Sequence, residues 1–352
     1  MRVVVTGATG NVGTSLIQVL SADESIDEIV GLARRRPRLS FARTTFVAAD
    51  VARDDLVETF RGADAVIHLA WLIQPSRDRQ ATHAVNVDGS RRVFESAAAA
   101  GVPVLVHASS VGAYSPGPKD RRVGEDWPTD GIRTSFYSRD KAEVERILDA
   151  FELEHPQMRV VRLRPGLIFK AEAASGVRRL FAGPLLPTSL LRRDLIAIVP
   201  AMTRLRFQGV HSLDVADAYR LAVLSPRARG AFNVAADPVL DSAELGRLLD
   251  ARPVSVSPRV LRAAAGLSWK LRLQPTPPGW LDLALGVPLM DMTRAHEQLG
   301  WTPARTSGEA LLELIDAMRR GDGLDTAPLQ RGGAGPLRVR ELLTGVGARS
   351  RW

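Results

Sequence analysis

The chain has 352 residues, of which 45% are hydrophobic, and it carries a formal net charge of +8. This hydrophobic content is sufficient for the core of one large domain or of two smaller ones. The sequence contains no cysteine, which excludes disulfides, thiol nucleophiles and zinc–thiolate sites. The positive charge is scattered along the chain, with no basic block beyond residues 34–36, so we expect no nucleic-acid partner.

A membrane span is not expected either. The most apolar later stretch, residues 180–200, is interrupted by Pro184, by Pro187 and by the charged run 192–194. A strand is predicted from residue 2 onward, which leaves no room for a signal peptide. We therefore expect a cytoplasmic protein.

The first predicted element is a buried strand over residues 3–5, followed by three glycines spaced three apart. In this pattern Gly7 permits a tight turn, Gly10 permits close approach of a phosphate, and Gly13 permits packing of the next helix against the strand. The N-terminus of that helix can bind an anion. The stretch therefore predicts a dinucleotide-binding turn, with a glycine-rich turn that binds nothing as the alternative.

A second strand is predicted over residues 29–32, and it leads into Ala33, Arg34 and Arg35. In dinucleotide-binding folds an acid near this point binds the 2′-hydroxyl of NAD, whereas arginine accommodates the 2′-phosphate of NADP. Because Ala33 stands where the acid is expected, we predict a preference for NADP, with Arg34 and Arg35 at the phosphate. A solvated basic loop is the alternative.

Two further strands are predicted over residues 45–51 and 65–70. His68 lies near the end of the second of them, and we expect it to be structural rather than catalytic. The following loop, residues 71–75, is more apolar than a surface loop requires. It is expected to face the substrate or a lid.

A fifth strand, residues 103–108, ends at Ser109 and Ser110, at the edge where parallel strands line a ligand crevice. Tyr137 and Lys141 follow on a predicted helix, and a spacing of four gives them the same face. An ordinary tyrosine pKa is about 10, and a positive charge nearby favours the phenolate. Only four of the 47 basic residues are lysines, so a lysine here indicates a task for which a compact ammonium suits better than a guanidinium.

The glycine spacing, Ser110, Tyr137 and Lys141 together resemble the extended short-chain dehydrogenase/reductases, the NAD-dependent epimerase/dehydratase family. The carboxyl half is similar as well. Residues 209–218 resemble the family's His-Val-Asp-Asp-Val-Ala stretch, and residues 290–303 resemble its Leu-Gly-Trp-x-Pro element.

The resemblance covers residues 1–320 and implies an α/β fold, a Rossmann-type doubly wound parallel sheet. It implies a dinucleotide-binding domain over 1–165 and a smaller substrate-covering lobe over 166–320 that returns one strand to the main fold. Residues 321–352 are rich in Gly, Pro and Arg, and we predict a flexible tail there, with a short docking helix over 337–343 as an option.

The resemblance also implies the site. Ser110, Tyr137 and Lys141 are the expected catalytic residues, with Ser109 as second choice, and Asn86 is expected to help hold the lysine. No metal ion is expected, and relatives of this type commonly form homodimers. The cofactor, NAD(P) with NADP favoured over NAD, is expected to contact Gly7, Thr9, Gly10, Asn11, Val12, Gly13, Arg34, Arg35, Asp50, Val51, Leu69, Ala70, Asn86, Tyr137, Lys141 and Pro165.

Departures from the family's patterns leave the small-molecule substrate open. Val111 and Gly112 replace the Asp-Glu pair of the sugar-nucleotide 4,6-dehydratases, and Arg206 is displaced by one residue from the arginine typical of UDP-sugar epimerases. We expect hydride transfer at a hydroxyl or carbonyl carbon, and we favour epimerisation of a sugar or sugar nucleotide. The alternatives are an NADP-dependent reductase of a lipophilic carbonyl or alcohol and a cofactor-binding sensor without catalysis.

Overall fold

The computed structural model describes residues 1–73, 77–181, 196–273 and 276–330. Its strands are β1 (Arg2–Thr6), β2 (Glu28–Ala33), β3 (Thr44–Ala48), β4 (Ala65–His68), β5 (Val104–Ala108), β6 (Arg122–Val123), β7 (Arg159–Pro165), β8 (Leu167–Phe169), β9 (Ile198–Ala201), β10 (Gly209–His211), β11 (Gly230–Val234), β12 (Arg252–Ser255) and β13 (Leu289–Met290). Its α-helices are α1 (Asn11–Ala22), α2 (Val57–Phe60), α3 (Arg79–His83), α4 (Gly89–Ala99), α5 (Phe136–Glu154), α6 (Ala174–Phe181), α7 (Ser212–Leu224), α8 (Ser242–Leu249), α9 (Pro258–Lys270), α10 (Gly279–Gly286), α11 (Thr293–Leu299) and α12 (Ser307–Arg320).

Seven strands form one parallel sheet in the order β3-β2-β1-β4-β5-β7-β11. The chain moves outward in one direction from β1 to β3 and in the other direction from β4 to β11. The carboxyl ends of β1 and β4 therefore border the point where the order reverses, which is where such sheets bind ligands. The predicted Rossmann-type doubly wound fold is confirmed.

Apolar side chains cover both faces of this sheet. Val3 and Val5 belong to the cluster that includes α1 and α7, whereas Val4 belongs to the cluster that includes α4 and α5. The alternation follows from the two-residue period of a strand, and it explains why β1 is apolar throughout. The central strands are thus held rigidly between two layers of helices.

The chain beyond β7 is interleaved with the main fold. A smaller apolar cluster forms around Leu240, Leu245 and Leu314, where α8 and α12 meet. In contrast, β11 pairs with β7 at the edge of the main sheet, and α7 packs against α1. Trp301 is fully buried, and its indole N–H donates to the carbonyl of Asp214 in α7 (2.8 Å), so the two C-terminal motifs contact each other.

Gly166 separates β7 from β8, and a Cβ there would lie 2.5 Å from the carbonyl oxygen of Gln208. Within the region predicted to be a flexible tail, Thr326 and Leu329 are buried, and the Thr326 hydroxyl donates to the carbonyl of Thr9 (3.0 Å).

Residues 331–352 and most of the apolar stretch 180–200 lie outside the described residues. In the part of the chain that is described, no helix combines the length and the apolar composition needed to cross a bilayer.

Candidate active site

The glycine-rich turn after β1 is shaped by close backbone contacts. Gly7 has a φ of 71°, and a Cβ on it would lie 2.7 Å from the backbone nitrogen of Ala70. A Cβ on Gly13 would lie 2.3 Å from the carbonyl oxygen of Gly7. Gly10 is less restricted, since the nearest atom to a Cβ there is the Gly7 oxygen at 3.3 Å. Gly7 and Gly13 are therefore required by the turn itself, which brings the backbone of Leu69 and Ala70 beside it.

The N-terminus of α1 retains unfilled hydrogen-bonding capacity. Gly10 is its N-cap, so no side chain caps the helix, and its first turn contains no acidic residue. The backbone N–H groups of Asn11 and Val12 donate to no described residue, and Asn11 Oδ1 is buried without a partner. Free amides at the positive end of a helix dipole suit an anionic group. These residues fit the pyrophosphate of a dinucleotide.

The neighbouring strand ends carry the other expected cofactor residues. Arg34 and Arg35 follow β2, are exposed, and form no hydrogen bond or ion pair with any residue in the described ranges. The carboxylate of Asp50 accepts the N–H of Ala52 (3.0 Å), and Val51 is buried. Pro165, at the carboxyl end of β7, is buried as well, and Thr9 is held by the C-terminal segment described above.

Ser110 and Ser109 occupy different environments at the end of β5. The Ser110 hydroxyl accepts the N–H of Gly112 (2.9 Å), at the start of a short 3-10 turn. The Ser109 hydroxyl donates to the carboxylate of Glu145 (2.5 Å) and is buried. Ser109 is thus committed to a structural bond, whereas Ser110 lies next to the phenol of Tyr137.

Tyr137 and Lys141 lie in the first turns of α5, which begins after the N-cap Ser135. Lys141 is buried, and its ammonium donates to the carbonyl of Ala108 at the end of β5 (2.5 Å). The ammonium also lies 3.4 Å from the ring centroid of Trp71 and 6.0 Å from that of Tyr137. Tyr137 and Lys141 therefore both lie at the carboxyl end of β5, next to the loop that carries Ser110.

The pKa of the phenol differs from the expectation. Burial raises the pKa of Tyr137, and the hydrogen bond with Ser110 opposes this shift. Burial also lowers the pKa of Lys141 to about 7, against the opposing charges of Glu145 and Asp140. The predicted acidification of the phenol by Lys141 is not found, because the ammonium is turned towards the Ala108 carbonyl and the Trp71 ring.

The side chain of Asn86 bonds to the backbone of Leu72. It is fully buried in a π-helical turn, residues 84–88. Its side chain accepts the N–H of Leu72 (2.7 Å) and donates to the carbonyl of Leu72 (2.9 Å). This pair of bonds fixes the backbone next to Trp71, the residue whose ring covers the Lys141 ammonium.

His68 has the structural role expected from the sequence. One ring nitrogen lies 2.7 Å from the Thr6 hydroxyl and the other lies 2.9 Å from the Ser90 hydroxyl. Burial lowers its pKa to about 3, so the ring is neutral at physiological pH. Both ring nitrogens are occupied by partners inside the core.

Two residues at the phenol were not found from the sequence. The ring of Trp280, in α10, stacks against that of Tyr137 with centroids 5.1 Å apart and an interplanar angle of 32°. Gly112 makes room for the phenol, because a Cβ there would lie 2.8 Å from Tyr137 Cε1. The short Ser110-to-Tyr114 stretch could have pointed to Gly112, but no local pattern connects α10 with α5.

A buried charge network lies behind the site. The carboxylate of Glu145 accepts two bonds from Arg164 (2.9 Å each) and one from Arg162 (2.9 Å). Arg164 also donates to the hydroxyl of Tyr114 (3.1 Å). Glu145 stands one turn beyond Lys141 on α5, and it also binds Ser109. The network therefore joins α5, β7 and the loop that carries Ser110.

Solved structures with the same fold include enzymes that act on sugar nucleotides. A short-chain dehydrogenase/reductase superfamily protein from Agrobacterium tumefaciens with bound NAD is 24% identical, with a TM-score of 0.68 and coverage of 91% of this chain and 98% of that one. UDP-glucuronic acid 4-epimerase from Bacillus cereus, in complex with UDP-glucuronic acid and NAD, is 17% identical, with a TM-score of 0.67 and coverage of 91% and 99%. At these identities the likeness concerns the fold.

Sequence comparison assigns the family. An uncharacterised protein of Mycobacterium tuberculosis is 29% identical over 326 residues, which cover 92% of this chain but 31% of that protein, so the chain spans less than a third of this relative's length. The family model described as the NAD-dependent epimerase/dehydratase family matches residues 3–235. Since this match covers more than half of the chain, the protein belongs to the NAD-dependent epimerase/dehydratase family.

Proposed function

We propose that the protein interconverts a hydroxyl and a carbonyl group of a small molecule, using NAD(P) and the residues Ser110, Tyr137 and Lys141. The proposal rests on the position of these three side chains, which all lie at the carboxyl end of β5. This end of the sheet is also where the unfilled N-terminus of α1 lies. When bound, the nicotinamide supplies the acceptor or donor of two electrons.

The chain's own residues would manage the proton. In the oxidation direction the phenolate form of Tyr137 accepts the proton of the substrate hydroxyl as the hydride leaves the carbon, and in the reduction direction the phenol returns a proton to the carbonyl oxygen. Ser110 donates a hydrogen bond to the same oxygen and stabilises the charge that develops on it. Lys141 supplies positive charge on the same face of α5 as Tyr137. Its ammonium lies closer to the Trp71 ring than to the Tyr137 ring.

For the substrate we propose a sugar or sugar nucleotide, whose carbonyl form is reduced again on its opposite face to give an epimer. Support comes from the family assignment and from the fold shared with the UDP-glucuronic acid 4-epimerase of Bacillus cereus. The aromatic surfaces of Trp71 and Trp280 next to Tyr137 are compatible with a sugar ring, because its C–H faces are apolar.

A second candidate substrate is a lipophilic alcohol or carbonyl compound. Trp280 stacks on the phenol within a small apolar cluster that includes Ile132 and Val287. The guanidinium of Arg206 donates to the carbonyl of Lys119, and Lys119 donates to the carbonyls of Arg206 (2.7 Å) and Ala284 (3.0 Å). The hydrogen bonds that these two side chains form among the described residues thus go to backbone oxygens.

We further propose that NADP is preferred over NAD, because Arg34 and Arg35 stand exposed at the end of β2 without an acidic partner among the described residues. A homodimer and a cytoplasmic location remain predictions from the sequence.

The decisive experiment incubates the purified protein with NAD(P) or NAD(P)H and two substrate panels, sugar nucleotides and hydrophobic ketones. An isomerised product without net change in nicotinamide absorbance supports epimerisation, whereas net cofactor oxidation with a ketone supports the reductase. Tyr137→Phe should retain cofactor binding and lose turnover on the order of 10²–10⁴-fold. Turnover unchanged in that variant would refute the assigned proton carrier.

Ser110→Ala and Ser109→Ala form a matched pair for the same assay. We expect Ser110→Ala to lower kcat by about 10²-fold, since it removes a donor to the reacting oxygen. Ser109→Ala should lower the melting temperature instead, because it removes a buried partner of Glu145. If the protein binds the cofactor but turns over no compound of either panel, the result would favour the cofactor-binding sensor without catalysis.

A further inference from the structure

Helix α9 lies on the surface with almost none of its apolar face covered. None of its residues is buried. Val260 is 66% exposed, Leu267 is 59% exposed and Leu271, which follows the helix, is 60% exposed. A soluble protein normally places such side chains against its core, so a row of them on one helix indicates a surface that meets an apolar partner.

The exposed residues form one face of the helix. Val260, Ala264, Leu267 and Leu271 are spaced by four, three and four residues, and at 3.6 residues per turn they lie in a single row. With about 100° per residue, the spread of this row is about 60°. This arrangement is that of an amphipathic helix whose apolar row points away from the protein.

The opposite face of α9 holds the helix in place. Arg262 forms a bidentate ion pair with Asp282 of α10 (2.7 and 2.9 Å). The guanidinium of Arg77 lies 4.4 Å from the ring centroid of Trp269 and donates to its backbone carbonyl. Both anchoring residues of α9 lie about half a turn away from the apolar row. The orientation of the row is therefore fixed by specific contacts and is not the result of a loosely attached helix.

The charge around the apolar row has one sign. Residues 258–273 contain no acidic residue and four basic ones. Arg259 and Lys270 flank the row on the same side, and both are exposed. Basic side chains beside an exposed apolar row are the pattern with which helices bind the interface of an anionic bilayer.

We propose that α9 docks the protein onto an anionic lipid membrane, with its apolar row in the interfacial region and its basic residues at the lipid headgroups. A second copy of the chain is a poorer partner for this face, because two such helices would bring like charges together. The proposal concerns attachment to the surface and needs no spanning helix. It also stands independently of the reaction, although α10, which follows α9, carries the Trp280 ring that covers the phenol.

The test measures co-sedimentation of the full chain with vesicles. We expect binding to vesicles of phosphatidylcholine that contain about one third phosphatidylglycerol, and binding at least tenfold weaker to pure phosphatidylcholine. Raising the salt concentration should weaken the binding to anionic vesicles. The double variant Arg259→Glu/Lys270→Glu should reduce it by about tenfold or more.

The apolar row is tested with Leu267→Asp/Leu271→Asp, for which we expect binding to fall by about tenfold or more. The matched control is Leu153→Asp on α5, because Leu153 is 84% exposed and lies outside α9. All of these positions are exposed, so the melting temperatures should stay within about 2 °C of the wild type.

Three results would overturn the proposal. Equal binding to neutral and anionic vesicles would remove the role of the charge, and retention of binding by Leu267→Asp/Leu271→Asp would remove the role of the row. If analytical ultracentrifugation without lipid instead showed an oligomer that this double variant dissociates, the face would be an interface between copies of the chain.

Discussion

Replacement of Glu145 by glutamine tests the buried network behind the candidate site. The carboxylate is 1% exposed and faces two guanidinium groups, those of Arg162 and Arg164. A glutamine side chain has the same shape, but it offers one acceptor oxygen, and its NH₂ group would face donors. Glu145→Gln therefore leaves two buried arginines without their shared counter-charge.

The size of the expected loss of stability follows from the pKa of the Glu145 carboxyl group. Burial alone would raise the pKa of Glu145, but the hydrogen bonds and charges of Arg164, together with the charge of Arg162, lower it from 4.5 to about 2. A tenfold change in proton affinity is worth about 1.4 kcal/mol, so the fold favours the ionised carboxylate by about 3 kcal/mol. Removing one partner of a buried ion pair typically destabilises a fold by about 3–5 kcal/mol. This range agrees with the value of about 3 kcal/mol that follows from the pKa.

Thermal unfolding monitored by circular dichroism measures the loss of stability in Glu145→Gln. At pH 7 we expect Glu145→Gln to lower the melting temperature by about 4–7 °C. The control is Glu154→Gln on the same helix, whose carboxylate is exposed, and its effect should stay within about 0.5 kcal/mol. Equal melting temperatures for wild type and Glu145→Gln would refute the reasoning.

The pH dependence gives the prediction a second readout. Because the pKa of Glu145 is lowered in the folded protein, its stabilising contribution is complete above about pH 4.5 and is lost as the pH falls towards 2. The difference between wild type and Glu145→Gln should therefore be constant near neutrality and shrink on acidification. A difference that stayed constant down to the lowest pH at which both proteins fold would point to packing rather than charge.

Two further substitutions address the phenol and the cofactor preference. Gly112→Ala places a Cβ 2.8 Å from the Tyr137 ring, so we expect the phenol to shift and kcat/KM to fall by about 10²-fold. The control is Gly266→Ala, because a Cβ there would have no neighbour nearer than 3.9 Å. It should leave kcat/KM unchanged. Arg34→Ala should raise the Kd for NADP by about tenfold and leave the Kd for NAD nearly unchanged. Both constants are measured by fluorescence titration. A parallel rise in both would contradict a contact of Arg34 with the 2′-phosphate.

The sequence predicted those parts of the site that depend on local spacing. Gly7 adopts a positive φ and Gly13 packs against the backbone of Gly7 within the same turn, and the spacing of Tyr137 and Lys141 is a property of any helix. The Ser109 hydroxyl is bound to Glu145, whereas the choice of Ser110 as the catalytic serine stays a prediction.

The parts that could not be predicted depend on contacts between distant segments. Trp280 reaches the phenol through the packing of α10, and Thr326 reaches the glycine-rich turn from beyond α12. Neither contact leaves a periodic signal in the sequence. The direction of the Lys141 ammonium was not predictable either, because helical spacing fixes the face of a side chain but not its rotamer.

Lys141 and Glu145, one turn apart on α5, respond to burial in different ways because their partners differ. Glu145 faces two guanidinium groups, and its pKa falls to about 2, so it is ionised near neutral pH. Lys141 contacts a carbonyl and an indole ring, and burial lowers its pKa to about 7 because the charges of Glu145 and Asp140 offset only part of the cost of desolvation. Below this pH the lysine is a cation and above it the neutral form dominates. Negative charge brought near the ammonium would favour the protonated form. The helix therefore combines a permanently charged anchor with a lysine whose charge near neutrality depends on what is bound beside it.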